Sequence, residues 1–248
     1  METTSLQPRD FLIGRIMLHL RRSADRGHFK YGWLETFHSF SFGDYVDPRH
    51  RGFSVLRVLN EDWIVPGEGF PAHAHRDMEI FTYVLQGALE HRDSMGHTGL
   101  IRAGDVQRMS AGTGVEHSEY NASSVEAVHL LQIWFYPEAK GTLPSYEQKT
   151  LAAASDRSLS RLIFSPDGRD GSLSIGQNIL GYDFFLKEAR QMVFTLASQR
   201  RGWIQLTQGR VRLFNEVLEA GDGAAIDGFS EIAISCLESA QGLFFDLP

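Results

Sequence analysis

Short runs of apolar or alternating residues, each closed by Gly, Asp, Asn or Pro, govern what this chain can fold into. Residues 53–59, 80–85, 128–136, 203–206, 211–214, 232–237 and 243–247 are such runs. Runs of this length between turn signals read as β-strands. Turn signals fall at Gly67-Glu68-Gly69, Ala103-Gly104-Asp105 and Ala220-Gly221-Asp222. No stretch sustains the 3.6-residue period of a long amphipathic helix. Residues 145–154 form the best short-helix candidate. The pattern predicts an all-β fold.

The runs also repeat. Val84-Leu85-Gln86-Gly87-Ala88-Leu89 resembles Leu206-Thr207-Gln208-Gly209-Arg210-Val211, and Ile101-Arg102-Ala103-Gly104-Asp105 resembles Leu218-Glu219-Ala220-Gly221-Asp222. Both copies run strand, Gly turn, strand, Gly-Asp turn, strand, which predicts two β domains. A chain of 248 residues buries enough surface to stand without a disulfide or a structural metal. The single cysteine, Cys236, excludes an intramolecular disulfide and reads as a small buried hydrophobe. That usage fits a reducing compartment.

The N-terminus, Met1-Glu2-Thr3, carries no basic n-region. The apolar stretch 11–18 is short and is followed by Arg21-Arg22, so it reads as a lead-in to a first strand rather than a signal peptide. No apolar run approaches the ~20 residues of a membrane helix. The expectation is a soluble, cytoplasmic protein that engages no membrane. A net charge of −7, from 24 basic and 31 acidic residues, argues weakly against direct nucleic-acid binding.

Two short motifs carry chemistry: His73-Ala74-His75 and His117-Ser118-Glu119. On a strand, residues i and i+2 share a face. Two strands brought together can aim three imidazoles and a carboxylate at one point, a donor set that suits a divalent transition metal. No histidine follows His129, so such a site must come from the first half of the chain. Thr195 and Ala197 stand in the second copy where His73 and His75 stand in the first, so the second domain is expected to bind no metal. Glu79 is the rival carboxylate, because its strand parity matches that of His75. Parity alone leaves Glu79 and Glu119 both open. A closed tetrahedral structural site is a further reading of the same four ligands. His91 and His97 lie near polar turns and are expected to be exposed. His129 reads as a hydrogen-bonded core histidine, and His38 as structural. There is no Ser-His-Asp motif, Walker loop or Rossmann fingerprint.

Together these segments resemble a known family. Gly67, His73-x-His75, Glu79 and Gly87 resemble the first cupin motif, and Gly104, Gly112, His117 and Asn121 the second. More specifically, the segments 73–79, 84–94, 109–114 and 117–119 look like the pirin family, as does 33–42. The likeness covers roughly residue 16 to the C-terminus and is greatest to bacterial pirin-like proteins with quercetin 2,3-dioxygenase activity. It departs from the general second cupin motif at Ser110, which replaces a proline, and in two extra residues before His117.

The resemblance implies a bicupin of two facing antiparallel β-barrels of jelly-roll type. Residues 1–15 would be an extension, 16–140 a metal-binding cupin barrel, 141–155 a linker, and 156–248 a second barrel without metal. It implies His73, His75, His117 and Glu119 as metal ligands, with Glu119 also accepting a proton in catalysis. The ion implied is Fe(II), with Cu, Ni, Mn or Zn as alternatives. The activity implied is cleavage of the heterocyclic ring of flavonols such as quercetin by O2, with release of carbon monoxide. The alternative is a metal- and redox-responsive regulatory protein that binds a protein partner without turnover. A monomer is expected in either case.

Overall fold

Alternating inward and outward residues build three sheets, antiparallel but for the short pairing of Ser160–Ser165 with Leu173–Ser174, in a computed structural model that describes residues 17–151 and 159–248. The first sheet has seven strands, in the order Ser145–Thr150, Asp105–Ser110, Glu79–Gln86, Val128–Phe135, Leu56–Ile64, Leu34–His38 and Gly27–Lys30. A four-stranded sheet runs Gly69–His75, Val115–Asn121, Ala88–Asp93, Thr98–Arg102. These two sheets form the first domain. A nine-stranded sheet, centred on Arg201–Leu213 and Glu231–Leu247, forms the second. Among the described residues no helix is long and apolar enough to cross a membrane.

The seven-stranded sheet is covered on both faces, which explains its nearly continuous apolar runs. On Glu79–Gln86, Phe81 and Tyr83 belong to the core shared with the second domain, where they meet residues such as Phe164, Trp203 and Phe245. Ile80, Thr82 and Val84 point the other way, towards the four-stranded sheet. A polar row crosses that inner face. His38, Asn60, Gln132, Thr82 and Gln107 stand directly opposite one another on successive strands, and all are buried.

The repeat is visible in hydrogen bonds. Gly87 and Gly209 take φ of 80° and 77°, and Gly104 and Gly221 take 87° and 85°. Only glycine adopts such values without strain. In both copies the Asp after the second glycine accepts from a backbone N–H three residues earlier: Arg102 N to Asp105 at 2.9 Å, and Glu219 N to Asp222 at 3.1 Å.

Three expectations need correction. Residues 145–150 form a strand, not a helix, and pair antiparallel with Asp105–Ser110. So short a segment makes a poor isolated helix, whereas the open sheet edge pairs its backbone along its length. Residues 152–154 of that helix candidate, and the extension 1–15, lie outside the described residues. Second, strands cross the expected domain boundaries. Met17–Arg21 pairs with Gly223–Asp227 in the second domain's sheet, where Leu18 and Leu20 pack on that domain's core. Ser145–Thr150, expected as linker, belongs to the first. Third, residues 203–206 and 211–213 are parts of one strand, as are 232–237 and 243–247. Gly209 makes a bulge there rather than a turn, and the register against Glu231–Leu247 shifts on either side of it.

His38 is structural, as expected: it is buried among the rings of Phe29, Phe42 and Tyr45. Burial, with the Arg26 guanidinium nearby, pushes its pKa down to about 4 from 6.5. The folded protein thus holds a neutral His38, while the unfolded chain takes up a proton below about pH 6.5. Its contribution is therefore present above that pH and is lost as pH falls towards 4, by up to roughly 3 kcal/mol. Denaturant titrations of wild type and His38→Gln at several pH values check this. The stability difference between them should shift towards the variant on acidification, and a pH-independent difference would contradict it.

Candidate metal centre

Two neighbouring strands deliver the imidazoles. His73 and His75 project from Gly69–His75, and His117 projects from Val115–Asn121, directly opposite His73. The register then slips by one residue, so that Glu119 faces Phe70 instead of Pro71. Pro71 has no N–H to give the ladder, which makes this a natural place for a bulge. Gly69 completes it: a Cβ there would collide with the Glu119 carbonyl and the Tyr120 backbone.

The three rings converge. His117 Nε2 lies 3.0 Å from His75 Nε2 and 3.0 Å from His73 Nε2. A single N–H cannot serve both contacts. His73 Nδ1 lies 2.7 Å from the Pro71 carbonyl and donates to it, which leaves the His73 Nε2 lone pair facing the cluster. Burial and the neighbouring imidazoles push His75 to about 4 and His117 to about 3, so both are neutral, ligand-ready rings at neutral pH. Converging lone pairs repel unless a cation sits between them. Nitrogens at right angles on an ion about 2.1 Å away stand roughly 3 Å apart. The donor set and its spacing therefore fit a single divalent metal.

Glu119 reaches this cluster through His117. His91, His117 and Glu119 form an overlapping group whose ligand atoms lie within 4.8 Å of one another, as do those of His73, His75 and His117. The Glu119 carboxylate accepts from the Gln132 amide at 2.7 Å and, at 3.4 Å, from the Thr82 hydroxyl.

His91 was expected to be exposed and is fully buried. Its strand alternates, with Leu89 and His91 turned inward and Arg92 outward, and the nearby polar turn hides that alternation. His91 Nδ1 sits 3.5 Å from His117 Nδ1, and its Nε2 sits 3.3 Å from Asp93. It backs the His117 ring from behind. His97 is exposed as expected, and contacts Asp93 at 3.1 Å. His129 is hydrogen-bonded to Glu61 at 2.9 Å and stacked on Trp63.

Glu79 is not brought to the imidazoles. The turn between Gly69–His75 and Glu79–Gln86 passes through Asp77 at φ 51°, and the two strands belong to different sheets, so strand parity does not carry across. Glu79 instead faces the second domain, accepting from Ser110 Oγ at 2.7 Å and Gly176 N at 3.1 Å. Burial raises its pKa. Glu79→Gln should therefore keep wild-type metal content by elemental analysis, while costing about 1–2 kcal/mol of stability in denaturant titration. Loss of metal in this variant would return Glu79 to the ligand set.

Beside the cluster lies a cavity of about 300 Å³, at the small end of the range for small-molecule sites. Phe42, Phe70, Pro71, Ile80 and Trp134 make its apolar wall. Asn60, Asp62, Gln132 and Glu119 are polar residues that also line it, with His73 and His117 at the metal side. Asp62 is buried, and desolvation, reinforced by the nearby Glu119 and Glu61 charges, lifts its pKa to about 7. Sequence reasoning missed Asn60, Asp62 and Gln132. The available signal was polar residues at inward positions of otherwise apolar runs.

Comparison with known proteins places this geometry among relatives. Residues 19–135 match the family described as Pirin, and 162–247 match that described as Quercetinase C-terminal cupin domain. The quercetin 2,3-dioxygenase of Escherichia coli K12 is 47% identical over 232 residues, covering 94% of this chain and 99% of the relative. A pirin-like protein of Caulobacter vibrioides is 39% identical, covering 87% and 93%. The crystal structure of the bacterial pirin YhhW from E. coli in complex with nickel(II) superposes with a TM-score of 0.90 at 46% identity, covering 94% of this chain and 99% of that one.

Proposed function

The chain belongs to the pirin family, and on that premise we propose that it is a metal-dependent dioxygenase that opens the heterocyclic ring of flavonols such as quercetin with O2, releasing carbon monoxide. The observation that carries this reading is the ring-lined cavity directly beside the convergent imidazoles. A partner-binding sensor has no need of a cavity for a small flat molecule at its metal.

We assign His73, His75, His117 and Glu119 as the ligands of one divalent transition metal. Fe(II) is our choice from the family resemblance, with Ni, Cu, Mn and Zn as alternatives; the related E. coli pirin was crystallised with nickel(II). The bound ion would supply Lewis-acid chemistry that lowers the pKa of an oxygen bound to it, and access to O2.

The chain's own residues do the rest. Phe42, Phe70 and Trp134 hold the flat substrate and exclude water from the reacting ring. Glu119 accepts the proton of the flavonol hydroxyl, and Gln132 and Thr82 orient its carboxylate for that transfer. His91 steadies the His117 ring through Nδ1. The second domain, without metal ligands at Thr195 and Ala197, buries the outer face of the first domain's sheet. Elemental analysis of native protein, followed by reconstitution with each ion and oxygen-uptake assays on quercetin, tests the reading. Flavonol-independent behaviour with every ion would favour the regulatory alternative, in which metal state controls binding of a protein partner.

A further inference from the structure

We propose that Asp93, acting through His91, is a positioning residue of the metal centre: it fixes His91 in the one tautomer that can accept a hydrogen bond from the His117 ring, and so orients that ring towards the ion. This rests on the assignment of His117 as a metal ligand.

The contacts run inward from the surface, through His97, Asp93 and His91 to His117. His117 turns Nε2 to the other two imidazoles, at 3.0 Å from each. A neutral imidazole that ligates through Nε2 carries its proton on Nδ1. His117 Nδ1 lies 3.5 Å from His91 Nδ1, so the His91 nitrogen must be the bare, accepting one. The Gln107 amide nitrogen stands 3.4 Å from the same atom and is a second donor to it. The His91 proton is then on Nε2, which faces Asp93 Oδ2 at 3.3 Å. A carboxylate only accepts, so it holds this tautomer and rejects the other.

Asp93 is itself fixed. Its side chain has no exposed surface, and neither has that of His91. Oδ1 accepts from the backbone N–H groups of Met95 at 2.9 Å and His97 at 3.0 Å. The exposed His97 ring approaches both oxygens through Nδ1, at 3.1 and 3.2 Å. Tyr146 packs against both imidazoles, its ring centre 4.9 Å from each of theirs. Gly99, directly opposite His91, makes room for it, since a Cβ there would stand 2.6 Å from the Tyr146 hydroxyl. A buried carboxylate is costly unless it is paired and hydrogen-bonded. The turn accounts for the contacts of Oδ1. The contact of Oδ2 with His91 reaches past the turn, to the ring that touches the ligand.

Asp93→Asn is the discriminating variant. The amide matches the carboxylate in size, and its oxygen still accepts from Met95 and His97, so the turn is kept. Its nitrogen donates, however, and demands a bare His91 Nε2. His91 would then carry its proton on Nδ1, against the Nδ1 proton of His117. Zn(II) affinity, measured by competition with a chromophoric chelator, should fall about 10–100-fold, the usual cost of a lost outer partner. In a His91→Leu background the same substitution should change affinity less than about twofold, because it has nothing left to act through. Nitrogen–proton imidazole NMR correlations of the Zn(II)-loaded wild type should show His117 protonated on Nδ1 and His91 on Nε2 alone. Unchanged affinity in Asp93→Asn, an equal loss in the His91→Leu background, or a wild-type His91 proton on Nδ1 would overturn the proposal and leave the ligand assignment standing. The wild-type spectrum decides even if a variant fails to fold. If wild type binds no Zn(II), or His117→Ala binds it as tightly as wild type, the ligand assignment itself fails and takes this proposal with it.

Discussion

His117→Ala should release the metal and abolish oxygen uptake while leaving the fold in place. His117 is the hinge of the cluster, the one ring within 3.0 Å of both other imidazoles. Its loss leaves His73 and His75 on one strand with no opposing nitrogen. Removing a mere outer-shell partner costs 10–100-fold in metal affinity, so losing this ligand should cost more than roughly 100-fold. The fold should survive because its two largest cores are apolar and lie elsewhere, between the two domains and inside the second. Elemental analysis after dialysis, with circular dichroism on the same sample, checks both halves. A full equivalent of metal retained by the variant would remove His117 from the ligand set.

Glu119→Gln should lower metal affinity and turnover together, with different weights. The change preserves volume and the contact with Gln132, but an amide is a weaker ligand and a far weaker base. Metal affinity should fall about 10–100-fold, within the range of a perturbed site. Turnover at saturating metal should fall further, by about 10²–10⁴-fold, the size of a general-base contribution. Steady-state rates measured across a metal titration separate the two. If turnover at saturating metal matches wild type, Glu119 is a ligand at most and the proton goes elsewhere.

Much of this was legible because strand chemistry is periodic. His73 and His75, two apart on a strand, had to share a face, and the glycines at 87, 104, 209 and 221 marked turns or bulges where only glycine fits. What periodicity could not convey was which strands meet. Glu79 has the parity of His75 but sits past a turn and in another sheet, so it faces the second domain. His91 sits beside a polar turn yet alternates inward, to back His117. The segment 145–150 became a strand because an open sheet edge was there to receive it, a fact absent from its own residues. Met17–Arg21 joins the distant sheet through pairing with Gly223–Asp227, about two hundred residues away in sequence (Met17↔Asp227). Asn60 and Asp62 were the least legible, since two polar residues in an apolar strand acquire meaning only once a cavity is seen in front of them.

Carbon monoxide is the most direct measurement of the proposed chemistry. Protein reconstituted with one equivalent of Fe(II), and separately with Ni, Cu, Mn and Zn, is mixed with quercetin in air-saturated buffer, and O2 consumed, flavonol lost and CO evolved are recorded together. At least one ion should give one CO for each O2 and each flavonol, and His117→Ala should give none. Flavonol loss or O2 uptake without CO, or no turnover by any ion in protein that holds a full equivalent of metal, would contradict the assignment.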